Sequence, residues 1–270
     1  MEVLNKKRER FPLELQPWIA IFMVTVISII AIVILCFTSP ISQDPSYHHF
    51  ADNRTKLGIS NFWNVISNVG FLLVGMLGSF QVIKGRCMVL VRELRAGYLI
   101  FFLGISLVAI GSAQYHLHPS NLTLIWDRAP MTIAFMALLA ISFAEYLSTN
   151  LGKFALWPLL ILGQFSVFYW YWGELQNRGD LRLYGMVQFI PVVILPLLLL
   201  FGKRKFDQQW SYWLLLSFYM LGKVAEHYDA DIFELTRHLF GGHALKHIFI
   251  CLGLLGLLRC FETRKMCGNK

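Results

Sequence analysis

Residues 97–131 read GYLIFFLGISLVAIGSAQYHLHPSNLTLIWDRAPM. Twenty positions, from 97 to 116, pass without a single Asp, Glu, Lys or Arg. An α-helix needs about 20 residues to cross a hydrocarbon core about 30 Å thick. Pro119 cannot continue that helix, residues 120–123 make a short polar turn, and a second apolar run begins at Leu124. The stretch therefore predicts two antiparallel membrane helices joined by a tight turn, with His116, Asp127 and Arg128 near the turn.

Working outward, the same reading predicts eight spans, at 17–37, 62–83, 97–116, 124–146, 154–172, 183–201, 210–228 and 241–258. The whole-chain figures agree. Of 270 residues, 56% are hydrophobic and 15% charged, whereas soluble domains average about 45–50% and about 25%. Disordered chains, coiled coils and water-soluble single domains are excluded. The 22 Phe and 8 Trp suit lipid contact and interfacial belts. The first apolar run is too long for a cleavable signal peptide and lacks a small-residue cleavage site. The five cysteines form no CxxC pair, so neither a disulfide framework nor a thiolate metal site is expected. The fold class expected is an all-α polytopic bundle: an N-terminal unit over 1–45 with one extra span, a seven-helix unit over 46–260, and a tail over 261–270.

The net charge is +8, but the basic residues lie between apolar stretches. This points to the anionic cytoplasmic leaflet rather than nucleic acid. Sixteen Lys and Arg fall on one side: before the first span, after the second, fourth, sixth and eighth. The opposite loops hold five: Arg54, Lys56, Arg178, Arg182 and Arg237. The positive-inside rule places both termini in the cytoplasm.

An ionisable group inside a span costs at least about 2.5–3.5 kcal/mol and is a functional hypothesis by default. Here such groups gather at the non-cytoplasmic span ends: His116, Asp127, Arg128, Lys223, Glu226, His243, Lys246 and His247, with Asp229 just beyond. His243 and His247 in GGHALKHIF are four apart and share a helix face, a spacing that grips metal ions. Ser112 and His116 are also four apart, and Asp127 opens the neighbouring helix. Three histidines with a Ser/Asp pair can converge, leaving one open position on a zinc ion. Simpler readings exist: His116 at a helix C-terminus, Asp127 as an N-terminal cap, and structural ion pairs among Lys223, Glu226 and Asp229, which would otherwise orient the ligating histidines. Gly104 and Gly111 permit close helix packing.

The ordered blocks ADNRTKLGISNFWNVISN, GSAQYHLHPSNLTLIWDRAPM, GKVAEHYDADIF and GGHALKHIF make the chain, from about Ala51 to Phe249, resemble the alkaline ceramidases. More broadly it resembles the CREST superfamily of membrane hydrolases, and most of all its bacterial ceramidase-like variant. The resemblance implies a seven-helix core with a zinc site open to the lumen or exterior. It implies His116, His243 and His247 as zinc ligands, Ser112 and Asp127 as catalytic residues, and amide hydrolysis of a ceramide-like N-acyl lipid in a bacterial inner membrane. A receptor or a transporter with the same site are the rival classes; an intramembrane protease lacks its HExxH motif here. The calcium-binding segment of the animal enzymes is poorly kept. Only Asp52 and Asn61 retain oxygen ligands, and Arg54 and Lys56 add positive charge, whereas calcium takes six to eight oxygens.

Overall fold

A computed structural model describes residues 17–85 and 88–267. The basic residues Lys6, Lys7, Arg8, Arg10, Arg86 and Lys270, and also Cys87, lie outside the described residues. The helices are α1 (Pro17–Phe37), α2 (Phe62–Ile66), α3 (Val69–Lys84), α4 (Arg95–Leu117), α5 (Asn121–Tyr146), α6 (Thr149–Glu174), α7 (Arg182–Phe201), α8 (Trp210–His227), α9 (Asp229–Leu235) and α10 (Gly242–Thr263). There is no β-strand among the described residues, and the chain is an all-α polytopic membrane bundle. Seven segments are long and apolar enough to cross a membrane: α1, α2 with α3, α4, α5, α6, α7 and α10.

The segment expected at 210–228 differs. It forms α8, yet Lys223, Glu226 and His227 in its last turns keep it below that apolarity. It still joins both ends of the bundle, from Tyr212 beside Glu145 to Glu226 beside Lys246. Its charged side chains meet protein partners, which is how a helix this polar is accommodated among apolar neighbours. The segment expected at 62–83 is broken between α2 and α3. There the Ser67 hydroxyl and the Asn68 amide both donate to the Asn64 carbonyl, at 3.2 and 2.7 Å. Short polar side chains compete in this way with helical backbone bonds.

Close helix approach sets the site in place. A Cβ on Gly111 would stand 1.8 Å from the Trp126 carbonyl oxygen, and one on Gly242 would stand 2.0 Å from that of Ala225. Glycine at these two positions lets α4 touch α5 and α10 touch α8 where the candidate residues lie.

The end of the bundle away from those residues is sealed by a buried ion pair. Arg264 and Glu145 are each 2% exposed. Arg264 Nη2 and Nη1 lie 2.7 and 2.9 Å from Glu145 Oε1 and Oε2. Tyr98 and Tyr212 donate to the same carboxylate, and Arg264 Nε donates to the Val89 carbonyl at 2.8 Å. Within the segment expected as a tail, Lys265 and Cys267 pair with the loop before α8: Asp207 N donates to the Lys265 carbonyl, and Cys267 N to that of Lys205.

On the other side of the bundle α1 packs on α7. Arg182 donates to the carbonyls of Leu35 and Thr38 and is gripped by Asp180, which also accepts from the Ile41 N–H at 3.3 Å. The Arg182 hydrogen bonds hold the Asp180 carboxyl below its ordinary pKa of 3.8.

Candidate metal centre

The C-terminal end of α4 and the N-terminal end of α10 bring His116, His243 and His247 together, all buried, at 1%, 4% and 3% exposure. Their ring centroids lie 4.8 to 5.2 Å apart. One nitrogen from each lies within 4.8 Å of the others. A zinc–imidazole bond is about 2.0–2.1 Å, so the rings need to draw in by roughly 1 Å to share one ion.

Each ring is held differently. Asn61, itself buried, adopts the left-handed conformation at the start of α2 (φ 48°) and donates to the His116 carbonyl at 2.8 Å. The His116 Nδ1 is buried with no hydrogen-bond partner. Such an orphan is costly, and a ligand ion is one thing that would satisfy it. Ser67 Oγ lies 2.7 Å from His247 Nδ1. Because that hydroxyl donates to Asn64, it accepts from the imidazole N–H, which leaves Nε2 unprotonated for a ligand bond. Asp229 takes the N–H of His243 at 2.8 Å and that of Ala51 at 2.8 Å, fixing the start of α10 rather than a ring.

His243 is the most contested. Lys246 Nζ lies 3.0 Å from its Nε2 and 2.6 Å from Glu226 Oε1, while Glu226 stands 3.8 Å from its Nδ1. Lys223 donates to the other Glu226 oxygen. The ion-pair reading of Glu226 is thus realised with both lysines, while its 3.8 Å approach to His243 is no hydrogen bond. Were an ion to bind there, Lys246 would give up His243 and would keep Glu226 as partner.

Ser112 is buried on α4, and Asp127 lies on the adjoining helix α5. Both line a cavity of about 750 Å³ that also reaches His247. The cavity runs between α4, α5, α7, α8 and α10, with α1 as a further wall, and its lining is overwhelmingly aliphatic and aromatic. From Asp127 to Leu138 on α5 it extends about 16 Å at 1.5 Å per residue. Such a volume matches one lipid-sized ligand. The donor set of neutral imidazoles suits zinc, and also copper, iron and nickel.

Asp52 is buried, and both of its oxygens are taken by Arg54, at 2.8 and 2.6 Å. Arg54 also donates to the Leu239 carbonyl at 2.9 Å. Asn61 turns its amide to His116. His48 bridges Tyr115 and Asn121, at 3.0 and 2.8 Å. The supporting roles of Asn61 and Ser67 were not read from the sequence, although buried amides recurring at 61, 64 and 68 within an apolar stretch were a visible signal.

No protein-family model matches this sequence, and no curated protein matches it.

Proposed function

We propose that the chain is a metal-dependent hydrolase of the membrane, cleaving the amide bond of ceramide-like N-acyl lipids to a fatty acid and an amine. The observation that carries the reading is the convergence of three buried imidazoles, one of which, His247, lines with Ser112 and Asp127 the polar end of one acyl-sized apolar cavity. We take zinc as the ion. When bound, it supplies a Lewis acid and lowers the pKa of a water molecule towards about 7.

The protein's own residues do the rest. The apolar cavity holds the acyl chain, at about 0.8 kcal/mol per buried methylene. Asp127 accepts a proton from the water that attacks the amide carbonyl and passes it to the leaving nitrogen. Ser112, on the same wall, donates a hydrogen bond to the developing oxyanion, a contribution of about 2.7–4 kcal/mol where well aimed. Ser67 keeps His247 in its ligating tautomer. In this reading the site needs no calcium at Asp52: the Arg54 guanidinium already supplies the cation there. Both termini face the cytoplasm and the site opens on the other side, on the strength of the basic-residue asymmetry; the host is taken as a bacterial inner membrane from the resemblance to the bacterial ceramidase-like variant.

The test is incubation of purified protein with ceramides and other N-acyl lipids, with and without chelator. Fatty acid release that is lost on chelation and restored by zinc is expected. Tight lipid binding with no release by zinc-loaded protein would assign the chain to a receptor instead.

A further inference from the structure

The polar end of the cavity is not charge-balanced. It is lined by four cations, Arg128, Arg182, Lys223 and Lys246, against two carboxylates, Asp127 and Glu226; Arg182 is answered by Asp180 just outside the lining. Glu226 serves both lysines. Arg128 has no carboxylate within ion-pair distance among the described residues, although it is only 5% exposed. Its guanidinium sits 4.3, 4.6 and 5.7 Å from the ring centres of Trp170, Tyr184 and Tyr47. One amino group donates to Gln43 Oε1 at 2.6 Å, and the other, Nη1, is buried without any hydrogen-bond partner. Tyr47 and Tyr184 line the cavity as well, so the cation is lodged in its wall.

Cations inside a membrane protein are normally paired with carboxylates, and an unpaired buried charge is strongly destabilising. Aromatic faces offset part of that cost but leave the charge and one N–H unanswered. A divalent ion at the histidines would make the excess larger. The missing negative charge is then the ligand's own. We infer that the cavity takes amphiphiles bearing a carboxylate close to the acyl amide, and that Arg128, helped by Lys223 and Lys246, recognises it. Among N-acyl lipids this selects N-acyl amino acids over neutral ones. As a statement about substrate it rests on the hydrolase reading; as a statement about ligand it does not.

The experiment uses full-length protein in discs of zwitterionic lipid, both zinc-loaded and chelated. Binding of N-oleoylglycine, of neutral N-oleoylethanolamine and of oleate is followed by tryptophan quenching. The glycine conjugate binds about tenfold or more tightly than the ethanolamide, Arg128→Gln brings the ratio close to one, and Arg128→Lys keeps part of it. Oleate binding below the glycine conjugate assigns the carboxylate to substrate; oleate binding as tightly assigns it to product, and both uphold the carboxylate site. Equal wild-type affinities for conjugate and ethanolamide overturn the inference with no variant needed, as does a full preference in Arg128→Gln. Equal hydrolysis of both amides would overturn it while the hydrolase reading stood. Selective binding without release from either would do the reverse.

Discussion

Two buried polar clusters lie at opposite ends of the same bundle, and they are built to different standards. Around Glu145 and Arg264 the matching is complete: both carboxylate oxygens, the guanidinium and two tyrosine hydroxyls find partners. Around His116 it is not. There one imidazole nitrogen and one guanidinium nitrogen are buried without partners, and a lysine leans on a histidine lone pair. The first cluster closes the fold on itself, and the second leaves chemistry for a ligand to complete. Burial of charge alone distinguishes neither; satisfaction does.

Experiments that break one cluster should leave the other intact. The largest effect is expected for His247→Ala, which drops bound zinc from about one ion per chain to near zero; elemental analysis of purified protein checks it, and unchanged zinc content would remove His247 from the centre. Next, Asp127→Asn retains the metal but lowers the hydrolysis rate by about 10²–10⁴-fold, read from single-turnover release of fatty acid. At the opposite end, Glu145→Ala strands Arg264 and costs about 3–5 kcal/mol. Its thermal unfolding should move sharply down while zinc affinity of the folded fraction stays put. If zinc binding falls in step with unfolding, the two ends are coupled and the comparison fails. The smallest effect is at α1. Asp180→Asn loosens the Arg182 clamp by about 0.5–1.5 kcal/mol. Because folding lowers the Asp180 pKa, its contribution is present above 3.8 and is lost as pH falls through the lower folded value. Wild type should approach the variant's stability in strong acid; a difference that persists there would remove the charge from the argument.

The sequence made the bundle legible because uncharged runs of some 20 residues have few other uses. It made the histidines legible because four-residue spacing fixes a helix face. Three features resisted. The low apolarity of α8 comes from Lys223 and Glu226, whose partners are on α10 and on α8 itself, so only the packed form shows why they are tolerated. The pairing of Arg264 with Glu145 joins residues 119 apart, and a basic residue just past a span looks solvated until a distant carboxylate is placed beside it. The break at Ser67 and Asn68 depends on side chains capturing one carbonyl, which hydrophobic periodicity does not register. The short helix α9, Asp229–Leu235, likewise falls where a plain loop was expected.

Between the two clusters lies an apolar layer that includes Phe101, Phe102, Leu139, Leu198 and Leu257, all nearly inaccessible to solvent. The proposed hydrolysis would have to admit water to one face of the membrane. That apolar layer gives protons no chain of hydrogen bonds to hop along, so water reaching the polar cluster at one end would not open a proton path to the other.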